Sequence, residues 1–202
     1  CDRNTAGTIP LMPPPSIDRI LVRFIYLYYI LNLDIIILQF IIINLMKTLL
    51  NVGCGLSKIS ELKGFNNGNW KEIRFDIDKE VNPDILGTLT DMSLVETSSV
   101  DAIYSSYNLD HIYAHEVPIA LKEFYRVLNQ DGFVVARCPD IQTICELIAQ
   151  DKYLEVLYES PLGPIYPIDV LYGHRGQIEA GNEYMAKKVG FTYSALDASF
   201  LA

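Results

Sequence analysis

The amino-acid sequence predicts an α/β fold, a mostly parallel sheet wound with helices on both faces. Three observations carry this. From residue 46 onward, short apolar runs alternate with stretches of helical periodicity, the order that a parallel sheet produces. The apolar runs are near-continuous, as strands buried on both faces are. A Gly-Cys-Gly turn follows directly on the first of them.

Residues 47–52 (KTLLNV) form the first strand, and Gly53, Cys54 and Gly55 turn the chain. A short helix is expected over 57–62, and the Gly- and Asn-rich stretch 64–68 is a loop. Residues 71–75 make a second strand ending in Asp76, 83–86 a short third, and 100–106 a fourth. Over 116–128, Val117, Ala120, Leu121, Phe124 and Leu128 recur at helical spacing and give one apolar face. Asn129-Gln130-Asp131-Gly132 ends that helix, and 133–138 is a fifth strand stopped by Pro139. Asp140 is placed to cap a helix over 140–150. Beyond Asp151 the prolines and glycines at 161, 163, 164, 167, 173, 176 and 181 break the pattern, and a helix resumes after Thr192, with Thr192 or Ser194 as its cap.

The chain has 202 residues, 50% hydrophobic and 20% charged, which suits one packed domain and excludes a disordered or repetitive chain. The formal charge of −9 repels phosphate backbones, so no nucleic-acid partner is expected. Cysteines at 1, 54, 138 and 145 form no CxxC pair, and the three histidines do not gather near them. Neither a metal site nor a disulfide framework is expected, and a reducing, cytoplasmic setting is the simplest fit.

Residues 1–45 differ from the rest and form a hydrophobic leader, with 46–202 the folded domain. LMPPP is a breaker, and residues 20–45 are long enough to span a bilayer. They carry Arg23, Asn32, Asp34, Gln39 and Asn44. An Asp near the bilayer centre costs about 2.5–3.5 kcal/mol. Three readings stand: translated upstream sequence with Met46 as the start, a membrane or interfacial anchor, and an extra soluble helix. We favour the first. Membrane contact is expected only if residues 20–45 belong to the natural protein.

The glycine turn carries the chemistry. Glycines between a buried strand and a helix let a ligand approach the backbone, at the sheet end where open α/β folds bind ligands. A dinucleotide fingerprint requires a third glycine where Lys58 stands, and no phosphate-loop G-K-[ST] follows. The ligand is then a nucleoside without phosphates. Asp76, about 20 residues after the glycines, is placed to accept ribose hydroxyls, with Asp78 as the neighbouring alternative. Asp91 and Met92, beyond the third strand, are candidates for the base.

The motifs LLNVGCG, RFDID, TDM, SSVDAIYSSYNLDHI and ALKEFYRVLNQDGFVVARCPD, in this order over about residues 47–150, resemble the class I S-adenosylmethionine-dependent methyltransferases. The type 11 methyltransferases are the nearest in pattern, and LYGHRGQIEAGNEYMAKKVGFT resembles a later segment of such proteins. The resemblance implies a Rossmann-like doubly wound sheet and S-adenosylmethionine as cofactor. It places Asn51, Gly53, Cys54 and Gly55 at the methionine part, Asp76 at the ribose, Asp91 and Met92 at the adenine, and Ser106, Tyr107 and Asn108 beside the methyl group. The family's closing β-hairpin is expected to be missing, which leaves the fifth strand as a sheet edge.

The implied reaction is in-line displacement at the sulfonium methyl, toward an unidentified acceptor. Candidate bases are His111, Asp110 and Tyr107. Tyr172, His174 and Arg175 are candidate acceptor-binding residues, with a loop-pinning salt bridge as the alternative role for Arg175. Two other classes remain open at this point: an NAD-type oxidoreductase on a related fold, and a non-catalytic cofactor-binding or partner module.

Overall fold

The computed structural model describes residues 37, 46–160 and 162–201. The chain divides into two compact units, Cys1–Leu45 and Met46–Ala202. Apart from Ile37, the leader and its membrane reading lie outside the described residues. Among the described residues, no helix is long and apolar enough to cross a membrane.

The second unit is built on a doubly wound, wholly parallel five-stranded sheet of Rossmann-like form. Its strands are β1 (Lys47–Val52), β2 (Trp70–Asp76), β3 (Ile85–Leu86), β4 (Val100–Ser106) and β5 (Leu128–Arg137), in the order β3-β2-β1-β4-β5. The order reverses between β1 and β4, and the crevice at their carboxyl ends is where such sheets bind ligands. Alternate residues of β1 face opposite sides of the sheet, a consequence of the two-residue period of a strand. Leu50 and Val52 join Ile103, Phe75 and Met92 on one face, and Leu49 joins Ala102, Leu62 and Phe65 on the other.

The first face is covered by α1 (Val117–Val127), whose Val117, Ala120, Phe124 and Val127 are all buried. These are the positions that the helical periodicity marked, because an apolar stripe gains most by turning inward. Leu196 of α5 (Tyr193–Leu201) packs on the same core. The expected cap of α5 is present, with Thr192 Oγ1 accepting from the Ala195 N–H at 3.2 Å. α2 (Ile141–Ala149) starts as expected, with the Asp140 carboxylate accepting from the Gln142 N–H at 3.0 Å.

Two local expectations are corrected. The helix expected over 57–62 is only a 3-10 turn, Ile59–Glu61. The Ile59 N–H is taken by the Glu72 carboxylate at 3.0 Å, which ties the segment to β2 instead of extending a helix. The turn expected at 129–132 lies inside β5. Leu128 pairs with Val100 and Phe133 with Ala102, so the four residues between them loop out as a bulge. Asp101 holds the bulge, accepting from Asn129 Nδ2 at 2.9 Å and from the Thr48 N–H at 2.7 Å.

After α2 the chain forms a small antiparallel hairpin, β6 (Tyr158–Ser160) with β7 (Gly163–Ile165), separate from the main sheet. Helices α3 (Pro167–Tyr172) and α4 (Arg175–Glu179) follow. Among the described residues, β5 and β3 are the sheet's edges.

The Phe124 side chain is almost fully buried at the centre of the first face. Phe124→Ala is expected to lower stability by about 3–5 kcal/mol. Urea unfolding followed by circular dichroism measures this.

Candidate active site

Four strand ends meet at the crevice. Gly53 follows β1 with φ of +61°, in the left-handed region that suits glycine. A Cβ there would overlap the Asn108 side chain. Asn108 comes from the turn after β4. Its amide donates to the Val52 carbonyl, and its Oδ1 accepts from the buried Ser105 hydroxyl. The β1 and β4 ends are therefore locked together around a residue with no side chain.

Gly55 also has a left-handed φ, +52°, but a Cβ there would meet nothing. Its N–H donates to Asp76 Oδ2 at 2.8 Å, and its carbonyl accepts from Arg74 Nη2 at 2.5 Å. Arg74 also donates to the carbonyls of Val81 and Asn82. The second oxygen of Asp76 accepts from the Asp78 N–H at 2.9 Å. Asp76 is 8% exposed, and each of its oxygens has used one bond. A carboxylate offers about four acceptor sites, so hydroxyl groups in the crevice still find acceptors there.

The crevice opens into one cleft of about 1220 Å³. Gly53, Gly55, Asp76, Asp78, Tyr107, Asn108 and His111 all line it, so the structure brings together seven of the residues singled out in the sequence. Tyr107 is a non-glycine residue at φ of +58°, a conformation that costs about 1–3 kcal/mol. Its hydroxyl accepts from Arg137 Nη2 at 3.3 Å, and the same guanidinium lies 5.2 Å from its ring centre.

His111 sits in a buried turn. Its Nδ1 lies 3.0 Å from the Ala186 carbonyl. A carbonyl only accepts, so Nδ1 carries the proton and Nε2 the lone pair in the neutral ring. Burial, then the Lys187 cation, holds the ring below its ordinary value of 6.5, against the opposing pull of Asp110. Asp110 is 2% exposed and paired with Lys187, so its charge is already engaged. Its carbonyl accepts from the N–H groups of Lys188 and Val189. Residues 184–189 are thereby strapped to the His111 turn.

Several expected residues are placed elsewhere. Met92 is fully buried in the core, and its N–H donates to Glu123 Oε2 at 3.0 Å. It has neither a free donor nor an exposed surface for a base. Asp91 points to solvent and accepts from the Ser93 N–H. Thr88 and Leu89 take their place on the cleft wall. Asn51 is buried against Glu72, bonded at 2.8 Å, and supports the 3-10 turn from behind. Cys54 is 3% exposed, and burial pushes its thiol up to about 11. Ser106 pairs along β5 and does not reach the cleft lining.

Tyr172, His174 and Arg175 lie at the junction of α3 and α4, outside the lining. His174 Nδ1 accepts from the Gln177 N–H and caps α4. Arg175 pairs with Asp169, 2.6 Å from Nε to Oδ1, the loop-pinning role weighed as its alternative. The sequence carried no signal for Arg74, for Leu89, or for the 177–188 wall. Their roles depend on backbone carbonyls and on a strap that closes over 70 residues. Among the described residues, no group of three His, Cys, Asp or Glu is placed to hold a metal.

Residues 50–136 match the family model described as a methyltransferase domain. A class I S-adenosylmethionine-dependent methyltransferase domain is present over these residues. Among solved structures, the chain is similar to an S-adenosylmethionine-dependent methyltransferase from Archaeoglobus fulgidus, with 16% identity over 68% of this chain and a TM-score of 0.44. It is similar to one from Mesorhizobium loti, with 15% identity over 77% of this chain and 72% of that one, TM-score 0.45. It is also similar to a putative zinc-dependent alcohol dehydrogenase from Rhodobacter sphaeroides, with 12% identity over 76% and 71%, TM-score 0.46. These scores carry no argument about activity. The chain spans less than two thirds of some of these relatives, 61% of the Archaeoglobus protein for example. No curated protein matches the sequence.

Two outcomes follow for the methyltransferase domain. Gly53→Ala is expected to displace Asn108 and to cost about 1–3 kcal/mol through its left-handed φ, read by thermal unfolding. The depressed His111 makes the unfolded chain bind more protons below pH 6.5. Its contribution to stability is present above that value and is lost as the pH falls toward the folded value. His111→Gln should therefore flatten the fall in Tm toward the acid side, measured between about pH 5 and 8.

Proposed function

We propose that the domain binds S-adenosylmethionine over the glycine turn and directs its methyl group to a small acceptor, with His111 as the proton acceptor. The observation that carries this is the single cleft joining Gly53, Gly55 and Asp76 to His111.

The residues present fit the cofactor. The space over Gly55 is open where any other residue would place a side chain. Asp76 has unused acceptor sites for the two ribose hydroxyls. Ile77 and Leu89 offer apolar surface to the adenine. When bound, S-adenosylmethionine supplies a methyl group already activated on a sulfonium. The chain's own task is then to orient the partners, exclude water and receive one proton.

Asn108 and Ser105 fix the turn that follows β4 beside the glycines. The His111 ring is held by the backbone at Ala186 and Tyr184 and kept below its ordinary value by burial, and Nε2 is the nitrogen assigned to take the acceptor's proton. Asp110 does not compete for it, because Lys187 holds its charge.

Calorimetric titration with S-adenosylhomocysteine tests the reading. The parent is expected to bind, and Asp76→Ala to weaken binding by about tenfold or more. Asp91→Ala, on the solvent side, should leave the affinity unchanged. Equal binding by the parent and Asp76→Ala would overturn the ribose assignment. Loss with Asp91→Ala would restore the adenine role that the sequence suggested.

A further inference from the structure

The cleft is larger than one ligand needs. Pockets for one drug-sized ligand measure roughly 300–1,000 Å³, and this cleft measures about 1220 Å³. The strand ends account for one end of it. The other end has two walls. His111, Ile112 and Tyr113 form the first, from the turn after β4. Ile178, Tyr184 and Met185 form the second, from the segment after α3, outside residues 50–136.

The two walls are fastened together at one side. His111 Nδ1 meets the Ala186 carbonyl, the Asp110 carbonyl accepts from Lys188 and Val189, and the Asp110 carboxylate holds Lys187. The space between them is a corner closed along the strap, which suits a small molecule better than a passing polymer. Ile112, Tyr113, Ile178, Tyr184 and Met185 give it apolar walls. Gln177, Asn182, Glu183 and Lys188 are also on the lining. Lys188 is drawn over the Tyr113 ring, 4.8 Å from the centroid. An ionised ligand body against the apolar walls loses hydration, which is costly, and Lys188, the cation on the lining, is already engaged with the Tyr113 ring.

We propose that this corner is the acceptor subsite, and that it takes a small, uncharged aromatic molecule with one acidic hydroxyl, its body against Ile112, Ile178 and Met185 and its hydroxyl toward His111. The proposal rests on the methyl-transfer reading for the cofactor end. The hydroxyl is placed by His111, which lines the corner with Nδ1 on the Ala186 carbonyl. Burial of the ring makes it a weak base, which favours an acidic proton donor. A phenolic hydroxyl, near about 10, meets this far better than an alkyl alcohol. The proton that leaves the oxygen goes to His111 Nε2. Tyr113 and Tyr184 offer ring faces and edges to an aromatic body.

The test uses the full chain and two probes of the same shape, 2-naphthol and 2-naphthoate, titrated by fluorescence. Saturable binding of 2-naphthol is expected, with 2-naphthoate weaker by about tenfold or more. Ile178→Asp and Met185→Asp should each weaken 2-naphthol by about tenfold while leaving S-adenosylhomocysteine affinity within about twofold of the parent. Circular dichroism melts establish which variants are folded, and either one alone decides. The proposal is overturned if 2-naphthol does not bind saturably, if 2-naphthoate binds as tightly, or if the folded variants bind 2-naphthol like the parent. Failure of the parent to bind S-adenosylhomocysteine, with the 2-naphthol results as expected, would instead sink the cofactor reading and leave the aromatic subsite standing.

Discussion

The site depends on a single side-chain tie between neighbouring strand ends. Asn108, leaving β4, reaches across to the Val52 carbonyl at the end of β1 and accepts from Ser105 beneath it. Its amide occupies the space where a side chain at residue 53 would stand, so the glycine there is a packing requirement as well as a conformational one. From this tie the rest follows outward. Gly55 is presented to Asp76, Arg74 gathers the carbonyls of Gly55, Val81 and Asn82, and the β2 end is drawn into register with the turn. Each link satisfies a backbone group that a sharp turn would otherwise leave unpaired.

The buried pair of Asp110 and Lys187 extends the same logic to the other wall. Two charges taken out of water gain little net stability, but removing one of them leaves the other stranded. The pair is thus better understood as a fastener than as a source of stability. It fixes residues 184–189 against the His111 turn and engages the Asp110 charge. The neutral imidazole beside it is the group able to change protonation without breaking the strap.

The two halves of the cleft differ in how they are made. The half around Gly53, Gly55 and Asp76 is built from strand ends and tight turns within the methyltransferase domain, where backbone geometry does most of the positioning. The half around Ile178, Tyr184 and Met185 is built from side chains of short helices and connecting segments that follow α3. Side chains on connecting segments can vary without disturbing the strand-end half of the cleft.

The sequence by itself determined the sheet, the order of its elements, and the residues at the strand ends. Apolar runs, glycines with positive φ and a carboxylate at a strand terminus are local signals, each tied to one backbone position. Gly53, Gly55 and Asp76 could be placed at strand ends for that reason, and the structure sets them on one cleft with Asn108 and His111. Met92 misled because an acidic-plus-apolar pair does not show which way it turns, and burial of a large apolar side chain in the core prevailed. The looped-out residues 129–132 were hidden because pairing on both sides of them is a property of two strands and not of one. Only the tertiary structure decided that Lys187 meets Asp110, that Arg175 belongs to Asp169, and that residues 177–188 close the cleft. Arg175 and Asp169 are six residues apart and meet through the fold of one short segment. The pair of Lys187 and Asp110 and the 177–188 wall are set by how distant segments pack, which no local pattern in the chain encodes.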